Sequence, residues 1–156
     1  MPWVTTGSIA VLLMRARSGV CALPLTDLLE TMRPLPARPA PEAPAFLHGV
    51  AVIRGEPVPV VDLDCLLGAP VPAEAGRYVL VRVGARRVAL AVESVLGIRE
   101  IDRATLAAKP PLLGSAPSEV IAAMGALDRD LLVLLDGARL LPPEASEAAV
   151  AAAVPA

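Results

Sequence analysis

The sequence is poor in the groups from which most catalytic and nucleic-acid sites are built. Of its 156 residues only Trp3, Phe46 and Tyr78 are aromatic, and the net charge is −2. Without stacking platforms or a basic footprint, nucleic acid is a poor fit as a partner. Lys109 is the one lysine and His48 the one histidine, so no second imidazole exists to complete a triad or a zinc site. Cys21 and Cys65 each lie inside an apolar run and read as small buried hydrophobes rather than as a disulfide or a metal pair. Gly49 and Gly55 stand six residues apart without the Lys-Ser/Thr of a phosphate loop. No apolar run approaches the roughly 20 residues that span a bilayer, and Met1 to Gly7 lacks the basic start of a secretory signal. The expectation is a soluble, cytoplasmic chain that carries no cofactor and no metal.

What is present is aliphatic. Apolar residues make up 55% of the chain, which argues against disorder, while 17 prolines require part of it to run extended on the surface. The length suits one domain, or two small β-units sharing a core.

The segment Gly49 to Gly68 organises the rest. Two short β-branched runs, Val50 to Ile53 and Val58 to Val61, flank Arg54-Gly55-Glu56-Pro57, which predicts a hairpin with one arginine at an otherwise apolar tip. Asp62 then caps a short helical turn through Leu66 and Leu67, closed by Gly68. Ile9 to Met14 and Val20 to Leu23 form an opening hairpin, and Arg77 to Val83 with Val88 to Val92 a second. Val95 to Ile101 adds a strand with a bulge or bend at Gly97. Thr105 to Ser118 reads as loop, and Val120 to Leu127 with Leu131 to Leu135 as a last hairpin. Between the first hairpin and the organising segment, Leu25, Leu28, Leu29 and Met32 fall at helical spacing and predict two helical turns. Five prolines within Pro34 to Pro44 then dictate an extended connector, and Ala69 to Gly76 is another. The alanine-rich end after Pro143 suits a helix or a frayed tail.

Val60-Val-Asp-Leu-Asp-Cys-Leu-Leu67 and Leu134-Leu-Asp-Gly-Ala-Arg-Leu-Leu141 share two aliphatics, an Asp, three residues and Leu-Leu. The repetition implies two similar β-units, and many short strands without crossover helices favour small barrels over a parallel sheet.

Asp62, Asp64 and Glu93 are the candidate acids for a small hydrolase, yet the Asp-x-Asp lacks the parallel sheet and neighbouring lysine that phosphoryl transfer needs. Helix capping accounts for Asp62 more simply.

The stretch Pro44-Ala-Phe-Leu-His-Gly-Val-Ala-Val-Ile-Arg-Gly-Glu-Pro-Val-Pro-Val-Val-Asp-Leu63, with Leu67-Gly68 after it, resembles the signature of the CheW family of chemotaxis adaptors. The likeness extends from Ile9 to Leu141, and Arg-Gly-x-x-x-Pro-Val-x-Asp-Leu is its specific core. It implies a mainly β fold of two intertwined five-stranded SH3-like barrels with short helices. The single domain would span 1–145, with 146–156 as tail, and its interleaved subdomains would be roughly 20–75 and 9–19 plus 77–141. It also implies a non-enzymatic adaptor between methyl-accepting receptors and a CheA-type histidine kinase, not embedded in the membrane but recruited to receptor arrays. By the same resemblance Leu28, Glu30 and Arg54 face the receptor, and Gly49 and Gly55 belong to the surface offered to the kinase regulatory domain. An ion pair between Arg54 and Glu30 within the chain is the alternative role for both. Where the family usually carries Asn before Ile/Leu-Arg-Gly, this chain has Val52, without an amide's polar contacts. That departure keeps open a specialised or decoy paralogue that binds receptor but not kinase.

Overall fold

Ten strands and two helices form among the described residues of a computed structural model, which are 7–17, 19–40, 43–72, 74–106, 121–127, 130–137, 140–141 and 143–153. The strands are β1 (Ser8–Ala16), β2 (Gly19–Pro24), β3 (Leu28–Met32), β4 (Leu47–Ile53), β5 (Glu56–Asp62), β6 (Arg77–Val83), β7 (Arg86–Val92), β8 (Ser94–Asp102), β9 (Ile121–Leu127) and β10 (Asp130–Leu135). The helices are α1 (Leu63–Leu66) and α2 (Pro143–Ala153). Two five-stranded sheets result, ordered β8-β1-β2-β10-β9 and β3-β6-β7-β5-β4.

The two sheets repeat one plan. In the first, hairpin β1–β2 meets hairpin β9–β10 through the parallel pair β2 and β10; in the second, hairpin β6–β7 meets hairpin β4–β5 through the parallel pair β7 and β5. The repeated Asp motif thus marks equivalent strand ends, after β5 and after β10. Strand pairing divides the chain differently from the expected 20–75 and 9–19 plus 77–141, because β2 belongs to the first sheet and β6 and β7 to the second. α2 also runs across the expected tail boundary at residue 145.

Continuous aliphatic runs arise because most strands are buried on both faces. On β1, Val11 and Leu13 fill the first barrel while Leu12, Met14 and Ala16 enter a core shared by the two barrels. On β6, Tyr78 and Leu80 fill the second barrel while Val79, Val81 and Val83 enter the shared core. Cys21 sits in that shared core, where burial and the nearby Asp64 charge push its thiol up to about 12, so it stays protonated and acts as a hydrophobe.

The predicted helix over Leu25 to Met32 is not formed. Leu25–Asp27 make one 3-10 turn, and the chain then extends into β3, paired with β6. The helical spacing has another origin. Leu25 and Leu28 pack on the shared core, whereas Leu29 and Met32 pack on the second barrel's interior, and a register shift between Leu28 and Glu30 separates the two sets. A bulged strand that packs apolar side chains on both of its faces can mimic a period near 3.6 over so short a span.

Other expectations hold. Asp62 Oδ1 accepts from the Cys65 N–H at 2.8 Å, and Gly68 closes the turn at φ +105°. Because Asp62 is buried, Asp62→Ala is expected to cost about 1–2 kcal/mol, read as a lower urea midpoint with unchanged slope. The connector after Pro34 is extended, and Arg38 and Val50 exchange two backbone hydrogen bonds of 2.8 Å that cover the free edge of β4. The β1–β8 register slips at Gly97, whose φ is +121°. Beyond Leu106, the Thr105–Ser118 loop with Lys109 lies outside the described residues, as do 128–129 and 138–139.

Candidate adaptor surface

Arg54 occupies the β4–β5 turn at φ +52°, the one described residue other than glycine with a positive φ. Followed by Gly55 at φ +80°, it forms a two-residue turn of the kind that suits hairpin twist, but with a bulky side chain where Asn, Asp or Gly is favoured. That departure from turn chemistry points to a role for the side chain.

Its guanidinium reaches Glu30 through two bonds, Nε to Oε2 at 2.8 Å and Nη2 to Oε1 at 2.9 Å. β3 and β4 stand at opposite ends of their sheet, so this bidentate pair links the edge strand β3 to the turn that leaves β4. The Arg54 side chain remains 65% exposed, so the pair orients it without hiding it. Glu30 therefore lies on a strand and not, as expected, on a helix, and the alternative of an internal ion pair is realised. Leu28, on the same strand, is half-buried against the shared core. The structure brings Glu30 and Arg54 into contact, with Leu28 two residues away on β3.

Hydrogen bonding to Arg54 holds the Glu30 carboxyl below its ordinary value of 4.5, and the same contact raises the guanidinium. A lowered carboxylate contributes stability above its unfolded value and loses it as pH falls through the native one. The melting-temperature gap between the parent chain and Glu30→Gln is expected to be present above pH 4.5 at low salt and to close in more acidic buffer.

Gly49 and Gly55 have different environments. Gly49 is buried, and a Cβ there would meet the Arg38 carbonyl oxygen at 2.5 Å, so the glycine admits the proline-rich connector onto β4. Gly55 has nothing within 4 Å of an added Cβ and stands exposed beside Arg54.

Two of the three acids proposed for hydrolysis are otherwise engaged. Asp62 caps α1, and Asp64 is buried with its Oδ2 3.8 Å from Arg17 Nε. Arg17 also donates to the Val71 carbonyl, tying the β1–β2 turn to the chain beyond α1. Glu93 is exposed at the end of β7. Among the described residues, no group of three or more His, Cys, Asp or Glu could hold a metal ion.

Sequence reasoning passed over the β6–β7 turn. Arg86 and Arg87 open β7 directly after it, Arg87 pairing with Glu56 and Arg86 Nη2 donating to the Leu141 carbonyl at 3.3 Å. The signal was the Arg-Arg doublet in the clearest hairpin, which turn chemistry alone seemed to explain.

A CheW-like domain matches residues 10–144. The chain belongs to the CheW family. It is 33% identical over 126 residues to "Protein FrzA" of Myxococcus xanthus, covering 76% of each chain. It is 28% identical over 116 residues to "Chemotaxis protein CheW" of Rhizobium meliloti (strain 1021), covering 73% of this chain and 75% of the relative. Its fold is similar to the crystal structure of scaffolding protein TtCheW from Thermoanaerobacter tengcongensis, with a TM-score of 0.75 at 19% identity, over 90% of this chain and 97% of that one. The two sheets are thus the two SH3-like barrels of the CheW fold, and the chain is a CheW-like scaffold adaptor. CheW family proteins are adaptors, not enzymes. Among the described residues, no helix is long and apolar enough to cross a membrane.

Proposed function

We propose that this CheW-like chain catalyses nothing itself and couples methyl-accepting receptors to a CheA-type histidine kinase, working in the cytoplasm at receptor arrays. The observation that carries the reading is the Glu30–Arg54 pair, which holds an exposed arginine at a fixed place on a barrel edge. Adaptors bind through a few oriented charges set beside apolar surface, and here Leu28 and Val52 supply that surface. Leu28, Glu30 and Arg54 form the receptor face. The kinase regulatory domain meets the β4–β5 hairpin of the same barrel, with Gly55 at its exposed tip next to Arg54 and Gly49 fixing the path of the connector. Residues 1–145 act as one unit in this assignment, with 146–156 as its tail.

The test is retention of a soluble receptor fragment and of a kinase regulatory domain by the immobilised chain. Both are expected to be retained, and loss of both removes the assignment. Val52, 68% exposed where the family usually has Asn, favours a second reading as a specialised paralogue. Retention of receptor without kinase identifies that case.

A further inference from the structure

Helix α2 lies across β4 and β5, the hairpin assigned above to the kinase. Its docking face is made of small residues. Ser146 and Ala149 are buried and Ala145 and Val150 half-buried, at the spacings of three and four that mark one stripe of a helix. Such a stripe buries little apolar surface, and Ser146 brings a hydroxyl to it.

The fit beneath the helix is also incomplete. A groove of about 680 Å³ separates α2 from the barrel, walled by Pro57 and Pro59 of β5, by Ala85 and Arg86 where β7 begins, and by Val150 and Ala151 of the helix. Pro57 stands opposite the exposed Val52 in the β4–β5 register, so the groove's apolar wall continues onto open hairpin surface.

The chain just before α2 is held firmly. Leu140 and Leu141 are buried in the shared core, and Arg86 bonds the Leu141 carbonyl. Beyond Leu141 the sequence runs Pro142-Pro143, two residues with no N–H to tie the helix back. An alanine-rich helix of 11 residues is marginal by itself, so α2 stays in place through the few contacts of its stripe.

We propose that α2 is a displaceable strap, and that the kinase regulatory domain takes the outer face of the β4–β5 hairpin in its place. This role for α2 rests on the adaptor assignment above. The kinase is the occupant because the groove runs on from the hairpin tip assigned to it, Glu56 and Pro57 following Gly55 directly. A strap that must lift lowers the apparent affinity by the fraction of molecules in which the face is free. Tighter docking of α2 therefore means weaker binding of the kinase.

Two substitutions shift the strap in opposite directions. Ala148 is exposed, so Ala148→Gly touches nothing and only weakens the helix, whereas Ala151→Leu adds a side chain that fills the groove. Calorimetric titration of the full chain with a kinase regulatory domain tests the strap. Affinity is expected to rise about fivefold in Ala148→Gly and to fall about fivefold in Ala151→Leu, while the melting temperature falls in the first and rises in the second. If the parent chain does not bind the domain, the adaptor assignment falls and takes the strap with it. If the parent binds and neither substitution changes affinity, α2 is a fixed cap on the shared core, and the strap is overturned while the adaptor assignment stands. Weaker binding by Ala148→Gly makes the helix part of the contact itself and likewise overturns the strap.

Discussion

Gly49→Ala is expected to destabilise the chain by about 3 kcal/mol, the upper range for forcing a methyl group into a closed contact. The added carbon would stand 2.5 Å from the Arg38 oxygen and 3.0 Å from its carbonyl carbon. Neither is the far end of a flexible side chain. Relief requires the connector to lift, which breaks the paired Arg38 and Val50 bonds and exposes the edge of β4. Urea titration reads the loss as a lower midpoint. Gly55→Ala serves as the control, because it meets only the backbone cost of φ +80°, about 1 kcal/mol. Equal stabilities for Gly49→Ala and the parent would show that the connector does not lie where described. The comparison also decides what Gly49 does for a kinase, since any binding loss must exceed the fraction unfolded.

The second large effect concerns binding. Arg54→Gly is expected to leave the melting temperature at or above the parental value, because glycine adopts φ +52° without strain and an exposed ion pair adds little to stability. Receptor-fragment affinity is nonetheless expected to fall about tenfold or more, as when a central arginine anchor is truncated. Arg54→Glu should do worse, since it sets a like charge against Glu30. A side chain that strains its own backbone and yet contributes little stability is retained for what it touches. Undiminished affinity of Arg54→Gly would remove Arg54 from the receptor face.

Much of the fold was legible because its signals are local. The Arg54-Gly55 and Gly84-Ala85 turns sit between β-branched runs, and the Asp62 cap needs only the residue three positions on. The repeated Asp motif even disclosed the two-fold plan of the sheets. What failed was decided at a distance. β3 is a strand because the edge of β6 accepts it, a fact absent from Leu25 to Met32 themselves. The division into barrels failed similarly, since β2 finds its second neighbour in β10, more than a hundred residues away. In the candidate site, Glu30 and Arg54 came from family resemblance, and their mutual contact was foreseen as an alternative. Arg86 was missed because its bond to the Leu141 carbonyl joins positions far apart in the chain, which no spacing announces.

The order of the strands also governs how the protein comes into being. All five strands of the second barrel fall between Leu28 and Val92, so that barrel has its whole set of partners as soon as this stretch has been synthesised. The first barrel must wait. Its opening hairpin is made before any strand of the second barrel, but the strand that docks alongside β2 ends at Leu135, so one flank of β2 stays open until synthesis has run well past the second barrel. During that interval the nascent chain carries a finished barrel and an aliphatic ribbon together, and the ribbon is the part that a chaperone would have to shelter.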